Sequence, residues 1–489
     1  MRRTHACGFV LAALCGLSGA ARADAQAGAV PSPVSSPPSS SGSLSLDDVL
    51  QSVERSYPLI DAASRDVQVA EAELQSARGV FDPVVRVRAD GAPLGYYQAG
   101  RVDLTLEQPT PFWGTTFYGG YRVSFGKYAD YDGKLETNQY GELRAGVAVP
   151  LWRNGPIDRR RANITRADLG REAAKAGLEA QRIESLRLGS LRYWDWVAAG
   201  LRMRVARGLL DVATTRDLQM AERVQRGDMP AIERTDNQRA LLQRRGLLVA
   251  AERGVTQAAI ELSIYLRDGG GTPIVVGPGR LPERMPLPAA DSIDVSAERI
   301  ARDVEWAMSK RPDVERLRLS REQLRVERDF NRNQLAPAID AQVAVSQDFG
   351  PGSPTREQTV LEGGVVIDIP TLNRQARGRA AAAAAAMARV DAQLRLLRDR
   401  VGAEVRDVLS ALSAAAERAR MAAQEVATSR QVEAAEREKL RLGDSTLFVV
   451  NLREQATFEA SLREIDALAD YHRAVSVYRA ALLRPDAQP

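Results

Sequence analysis

The sequence predicts an α+β membrane protein in which long antiparallel coiled-coil helices are combined with the strands of a transmembrane β-barrel. Two runs of about 70 residues contain no proline, and helices of that length are far above the usual for globular domains. Between the helical runs, apolar and polar residues alternate with a period of two, as in transmembrane strands. The same order of elements occurs twice, which predicts two internal structural repeats.

The first 23 residues have the features of a secretory signal peptide. Two arginines precede a short apolar run that ends at the cleavage signal Ala21-Arg22-Ala23, and such a segment is removed on export. A lipoprotein signal ending at Cys15 is the alternative, although Leu14 stands where a small residue is expected. Residues 24–44 are rich in proline and serine, so we expect a disordered N-terminus.

The composition excludes the commonest kinds of chemistry. Both cysteines, Cys7 and Cys15, fall in the predicted signal, and His472 is the only histidine after it. Disulfides, thiolate metal sites and histidine-based triads are therefore not expected. No phosphate-binding loop or nucleophile elbow is present either. We predict no enzyme activity, no catalytic residue, no cofactor and no metal site.

The net charge gives no sign of a nucleic-acid-binding protein. Without the predicted signal the chain has 64 basic and 63 acidic residues, and it has no basic patch of the kind that binds nucleic acid. The mixed charges suit long solvated helices. A transmembrane helix needs about 20 consecutive apolar residues, and no such run occurs after the signal.

The internal duplication is visible in paired landmarks. Tyr57-Pro58 opens a helical stretch, and Arg311-Pro312 opens a second one 254 positions later. A Gly/Pro-rich linker separates the two copies. The predicted boundaries are residues 45–267 for the first helix-strand-helix repeat, 268–295 for the linker, 296–484 for the second repeat and 485–489 for a C-terminal tail.

Helix lengths agree between the two copies. The long helices, Ile157 to Arg226 and Leu372 to Leu442, would each be about 105 Å long at ~1.5 Å per residue. Two shorter helices laid end to end match each long one. An apolar stripe from Val390 to Leu412 covers 22 residues in six turns, or 3.67 residues per turn, which favours nearly straight packing. The predicted short helices are Leu46–Gly79, Ala231–Leu266, Ala297–Gln334 and Thr446–Leu483.

The alternating segments lie between Pro83 and Pro150 and again after Pro337. One face would meet lipid and the other a polar lumen. With one hairpin from each copy, a protomer supplies four strands, which cannot close a barrel. Closure must therefore come from several chains around an axis, and three chains would give a 12-stranded barrel, an even number within the known range. The longer insertion at residues 91–139 would add an extracellular loop or short strands. A soluble β-domain with an aromatic core is the alternative.

Aromatic residues are concentrated in the first strand segment. Membrane-spanning barrels carry aromatic girdles at the two interfaces between lipid and water. Residues that could form such girdles are Tyr96, Tyr97, Phe112, Trp113, Tyr128, Tyr131 and Trp152.

Several of these motifs resemble the repeat of TolC-type outer-membrane efflux proteins. The start at Tyr57-Pro58, the exit Ala77-Arg78-Gly79-Val80-Phe81-Asp82-Pro83 and the segment Val149–Gly155 carry the resemblance. The turn Gly227-Asp228-Met229 matches as well. The residues after each turn, 233–240 and 451–456, also follow the pattern. The resemblance covers nearly the whole mature chain, although Ser445 and Asp368 depart from it in the second copy.

The resemblance implies a trimer with a β-barrel in the outer membrane and an α-barrel in the periplasm. It also implies a passive channel of a tripartite efflux or secretion system, which docks to a periplasmic adaptor and, through it, to an inner-membrane transporter. The adaptor-docking or gating tips would be the two helical turns. Their residues are Arg226, Gly227, Asp228, Arg441, Leu442, Gly443 and Asp444.

Two simpler interpretations stay open. In the first, the tip glycines serve only to end a helix in the left-handed conformation, and Asp228 and Asp444 serve only to cap the next helix. A periplasmic coiled-coil adaptor or scaffold is the alternative for the whole chain, although an adaptor has one helical hairpin and this sequence predicts two.

Overall fold

The computed structural model describes residues 42–289 and 293–483. The helices are α1 (Leu46–Ser56), α2 (Pro58–Arg78), α3 (Arg159–Gln225), α4 (Ala231–Ser263), α5 (Ala297–Lys310), α6 (Pro312–Asn333), α7 (Arg374–Leu442) and α8 (Leu447–Leu482). The strands are β1 (Val84–Ala92), β2 (Ala99–Pro109), β3 (Thr116–Gly126), β4 (Glu142–Pro150), β5 (Ala338–Asp348) and β6 (Val360–Asp368). The predicted signal peptide and C-terminal tail lie outside the described residues.

The long helices α3 and α7 have 67 and 69 residues and span roughly 100 Å each. Shorter helices stack end to end beside them, as predicted. In the first half, the start of α2 meets the end of α4, where the rings of Tyr57 and Tyr265 stack with centroids 5.2 Å apart. In the second half, the indole of Trp306 donates to the carbonyl of Leu482 at 2.9 Å, next to the start of α6.

Each of the short N-terminal helices predicted as continuous is broken in two. The breaks fall at Tyr57-Pro58 and at Arg311-Pro312. Proline has no N–H to donate and restricts the residue before it to extended conformations, and Tyr57 and Arg311 have ψ angles of 121° and 129°. Each proline therefore opens a new helix instead of lying inside one.

Helices α3 and α8 run antiparallel in a nearly constant register. Asp195, Arg202 and Arg216 on α3 form ion pairs with Arg473, Asp466 and Glu454 on α8. An advance of 21 residues along α3 thus matches a retreat of 19 along α8. This register places the far ends of the two helical hairpins at the same level.

The hydrophobic core lies in the middle of the helical region. Trp196 and Val197 are fully buried there, and the predicted stripe on α7 is confirmed, since Val401, Val405 and Leu412 are buried with them. The Gly/Pro-rich linker packs on this core through Val276, Leu281 and Met285. Within the described ranges 42–289 and 293–483, no helix combines the length and the apolar composition needed to cross a membrane.

The strands form one antiparallel sheet whose order follows the chain, β1-β2-β3-β4-β5-β6. The prediction of four strands per chain is wrong because the sheet has six. The insertion at residues 91–139 holds the two extra strands, β2 and β3. β2 pairs with β1 and β3, and β3 also pairs with β4 through Thr116 to Arg122, so the insertion extends the sheet and is not simply a loop.

Candidate functional site: a two-faced sheet and two helical tips

The register of the sheet sorts its side chains onto two chemically different faces. Residues directly opposite each other on paired strands share a face, and successive residues alternate between faces. One face carries apolar side chains on every strand, and most of them are exposed. It includes Val85, Val87, Leu104, Leu106, Phe117, Tyr121, Phe125, Leu143, Val343, Val345, Leu361, Val365 and Ile367. The predicted alternation is therefore present across all six strands.

The opposite face is polar and held together by ion pairs. A chain of alternating charges crosses four strands, from Asp90 on β1 through Arg101, Asp103 and Arg122 to Glu142 on β4. The N–O distances in this chain are 2.7 to 3.3 Å. Charged groups are costly in hydrocarbon and favourable in water, so the two faces fit two different solvents.

Aromatic side chains lie at both ends of the strands. At the end next to the helices, Trp113 in the β2–β3 turn packs against Gly155, where an added Cβ would lie 2.6 Å from the indole nitrogen. Phe112 and Trp152 are exposed at this end. At the other end, Tyr96 and Tyr97 are exposed in the β1–β2 loop. The predicted aromatics thus form two groups separated by the strands, and the side chain of Tyr131 lies outside the described part.

The predicted tip residues lie in the two turns between long and short helices. Arg226, Gly227 and Asp228 are exposed between α3 and α4, and Arg441 to Asp444 are exposed between α7 and α8. Gly227 and Gly443 have φ angles of +79° and +88°, so the prediction of left-handed glycine at each helix end is confirmed. The register between α3 and α8 brings Arg226 level with about residue 444.

The two tip aspartates do not cap the next helix, which corrects the simpler interpretation. The N-cap positions are occupied by Pro230 and Thr446, and neither makes a side-chain capping bond. Among the described residues, Asp228 and Asp444 form no ion pair, whereas Arg226 and Arg441 pair with Glu222 and Glu438 on their own helices. Among the described residues, both carboxylates are therefore left without an ionic partner at the tips.

A buried charge cluster near the tips was not predicted from the sequence. Glu454 on α8 is 2% exposed and pairs with three arginines, Arg216 on α3, Arg244 on α4 and Arg437 on α7. Burial by itself disfavours the charged carboxylate, but the arginines outweigh it and lower the pKa of Glu454. The cluster joins both helical hairpins. In the sequence, Glu454 looks like any other helix carboxylate, and only its place in the segment 451–456 singled it out.

His472 has a structural place in the core. Its ring stacks on Trp194 with centroids 3.9 Å apart, and Nε2 lies 2.9 Å from the carbonyl oxygen of Pro286 in the linker. Burial lowers the pKa of His472 to about 4, so the ring is neutral at pH 7. In residues 42–289 and 293–483, no group of three or more His, Cys, Asp or Glu side chains is placed to hold a metal ion.

No protein-family model and no curated protein matches this chain. Its structure is similar to solved outer-membrane channels. The outer-membrane protein VceC of Vibrio cholerae has a TM-score of 0.61 and 14% identity, over 89% of this chain and 95% of that one. The CmeC outer-membrane channel of Campylobacter jejuni has a TM-score of 0.61 and 13% identity, over 89% and 85%.

A third solved structure, the open state of the MtrE outer-membrane channel of Neisseria gonorrhoeae, agrees with these. Its TM-score is 0.60 at 14% identity, over 89% of this chain and 88% of that one. The likeness extends over the helical hairpins and the strands together, because it covers nearly the whole described chain. The chain therefore has the fold of the TolC-type outer-membrane efflux channels, and the resemblance seen in its sequence is confirmed at the level of the fold.

Proposed function

We propose that this protein is a passive duct through the outer membrane, with its helical hairpins in the periplasm, and that it is not an enzyme. The observation that carries the proposal is the two-faced sheet. Its apolar face is exposed on every strand, as Leu361 at 75% and Val85 at 64% illustrate. An exposed apolar surface of this extent on a soluble protein would be an aggregation site. Against lipid it is the expected outer wall of a channel.

The duct requires several copies of the chain. The single sheet is open at β1 and β6, and open edges in hydrocarbon leave backbone groups without partners. We propose a homotrimer, as the resemblance to the fold family implies. The long helices of the three copies would then form an α-barrel below the strands. The organisation into two repeats, 45–267 and 296–484, joined by the linker 268–295, belongs to the same proposal.

The proposed partners follow from the two ends of the molecule. Outer-membrane lipid would contact the apolar face of the sheet. A periplasmic adaptor would contact the tips at Arg226-Gly227-Asp228 and Arg441-Leu442-Gly443-Asp444, and through it the duct would be linked to an inner-membrane transporter. The exposure of all seven tip residues and the level position of the two turns support this assignment.

A periplasmic adaptor or scaffold is the competing function, and the sheet argues against it. The β-domains of a soluble adaptor would bury their apolar residues between layers of structure. Here no described element covers the apolar face, and large side chains such as Phe117 and Phe125 stay more than half exposed. The aromatic groups at both strand ends also fit a membrane boundary better than a soluble domain.

The test is fractionation of cells that produce the full-length protein, followed by oligomer sizing on SDS gels with and without heating. We expect the protein in the outer-membrane fraction as an SDS-resistant oligomer that dissociates to a faster-migrating monomer band on boiling. Recovery of a monomer in the soluble periplasmic fraction, or in the inner membrane, would contradict the proposal and support the adaptor.

A further inference from the structure

We propose that the β2–β3 hairpin is part of the lipid-facing wall, so that each copy contributes six strands and the wall closes by pairing β1 of one copy with β6 of the next. This inference rests on the proposed function and specifies how the duct is built. The partner at each open edge is a second copy of this chain.

One face of the β2–β3 hairpin belongs to the apolar face of the sheet. Leu104 and Leu106 on β2 and Phe117 and Phe125 on β3 lie on the apolar face and are between 45% and 61% exposed. If the hairpin lay inside the lumen, these side chains would be in water. In the wall they continue the apolar surface of β1 and β4 without interruption, because the register pairs Leu104 with both neighbours Val87 and Tyr121.

On the polar face, ion pairs link the hairpin to the strands on either side of it. The ion-pair chain passes from Asp90 on β1 through the hairpin residues Arg101, Asp103 and Arg122 to Glu142 on β4. The hairpin therefore supplies the three middle links between strands that belong to the basic pattern. Folding the hairpin out of the sheet would break the two pairs that join it to its neighbours, Asp90 with Arg101 and Arg122 with Glu142, as well as two ladders of backbone hydrogen bonds.

β1 and β6 form the two edges of the sheet. β1 and β6 have nine residues each, all of them exposed, and within the described chain each has one hydrogen-bonded neighbour. Because six antiparallel strands are an even number, β1 and β6 run in opposite directions. A copy placed beside the first by rotation about a common axis would thus bring its β6 antiparallel to β1, and the ladder would continue around the ring.

The consequence is a wider wall. Three copies with six strands each would give about 18 strands, and since barrel diameter grows roughly linearly with strand number, the exit would be about 1.5 times as wide as that of a 12-stranded wall. Barrels of 16 to 18 strands leave an aqueous channel in known membrane proteins.

Lipid contact of the hairpin can be tested with single cysteines, because both native cysteines lie in the predicted signal peptide. Leu104→Cys and Thr105→Cys, on opposite faces of β2, would each be labelled with an environment-sensitive fluorophore in vesicles containing acyl-chain spin-labelled lipid. Leu143→Cys on the apolar face of β4 is the reference. We expect strong quenching at positions 104 and 143 and several-fold weaker quenching at 105.

Quenching at 143 without quenching at 104 would overturn the six-strand wall and leave the duct intact. Quenching at neither position would overturn the proposed function itself. The two failures are therefore distinguishable within one experiment.

Closure can be tested by disulfide cross-linking of the inserted oligomer. Val87→Cys would be combined in turn with Gly363→Cys and Val365→Cys, which share the apolar face. Within one chain, β1 and β6 are separated by four strands, or about 24 Å at ~4.8 Å per step, so any disulfide must join two copies. The matched control, Val87→Cys with Val366→Cys, places the thiols on opposite faces.

We expect at least one same-face pair to give covalent multimers on oxidation, and the opposite-face control to give none. The largest covalent species also counts the copies in the ring. Absence of interchain cross-links from every same-face pair, in protein that is shown to be inserted and oligomeric, would overturn the pairing of β1 with β6.

Discussion

Glu454 is a buried carboxylate whose burial is unfavourable and whose three ion pairs are favourable. Its carboxylate is buried among the guanidinium groups of Arg216, Arg244 and Arg437. Arg244 is itself buried, and desolvation lowers its pKa although Glu454 acts in the opposite direction. Removing one member of such a cluster leaves buried charge without a partner, which is far more costly than losing a surface pair.

We predict that Glu454→Gln destabilises the protein by about 3 kcal/mol at pH 7, because buried guanidinium groups lose their counter-ion. The folded pKa of Glu454 lies below its ordinary value of 4.5. Its stabilising contribution is therefore fully present above about pH 4.5 and is lost as the pH falls toward the folded pKa. Thermal unfolding followed by helical circular dichroism should show the difference between wild type and variant at pH 7, and a difference that shrinks as the pH falls below 4.5.

The matched control is Glu425→Gln, which removes an exposed pair with Arg463 on the same two helices, α7 and α8. Exposed pairs contribute little, so this variant should unfold like the wild type. Equal losses in the two variants would show that burial of Glu454 is not what makes it important.

His472 predicts a second pH dependence in a different range. Its folded pKa is about 4 against an ordinary 6.5, so the neutral ring belongs to the folded state. As the pH falls from 6.5 to 4, the unfolded chain takes up a proton and the folded chain does not, and stability falls by on the order of 3 kcal/mol. Above pH 6.5 the contribution is complete.

His472→Phe keeps an aromatic ring against Trp194 but cannot be protonated, so this variant should lack the decline between pH 6.5 and 4. It should also be less stable at pH 7, because the contact of Nε2 with Pro286 is lost. Midpoints of thermal unfolding measured every half pH unit for both proteins would show whether the decline depends on His472. Parallel curves for wild type and variant would contradict the assignment of this decline to His472.

At the scale of elements, glycine favours the structure at the end of helix α3 and disfavours it in the middle. Gly227 ends the helix with φ of +79°, and Gly208 lies inside it with no left-handed angle. In both cases nothing lies within 4 Å of an added Cβ. The effect of a methyl group therefore comes from the backbone alone and not from a clash.

We predict that Gly227→Ala loosens the tip by about 1 kcal/mol, because alanine is strained in the left-handed region. Gly208→Ala should instead stabilise its surroundings by up to about 1 kcal/mol. Hydrogen–deuterium exchange of residues 222–228 and 204–212 would measure the two effects locally. Slower exchange at the tip of the Gly227 variant would contradict the left-handed turn.

At the scale of the whole molecule, the two faces of the sheet decide whether the protein inserts into a membrane. Val343 lies on the apolar face in the middle of β5, and its neighbour Gln342 lies on the polar face. An arginine facing lipid near the bilayer midplane costs roughly 2–4 kcal/mol per site, whereas an arginine facing a water-filled lumen costs little.

We predict that Val343→Arg strongly reduces the amount of heat-modifiable oligomer in the outer-membrane fraction, because each copy of the ring carries the penalty. Gln342→Arg, one residue away on the same strand, should insert like the wild type. Equal insertion of both variants, or a greater loss for Gln342→Arg, would contradict the assignment of the apolar face to lipid.

Much of the architecture follows from local patterns. The proline-free runs predicted α3 and α7 to within two residues at their ends, because a helix of that length depends on near-neighbour hydrogen bonds and on the absence of proline. The alternation of Val85 and Val87 with Arg86 and Arg88 was likewise enough to predict a two-faced strand. Gly227 and Gly443 indicated the tips because a left-handed helix end favours glycine.

The remaining features depend on contacts between separate elements of the fold. Whether β2 and β3 form a loop or part of the sheet depends on pairing with β1 and β4, and hydrophobic alternation in an insertion does not specify a partner. Glu454 became distinctive only when α3, α4 and α7 brought three arginines around it. The sequence by itself determined helix length, strand alternation and the turns, since these depend on neighbouring residues. The tertiary structure alone decided strand number and the buried charge cluster, since both depend on pairing between separate elements: β2 and β3 pair with β1 and β4, and Glu454 pairs with Arg216 and Arg244, which lie more than 200 residues away.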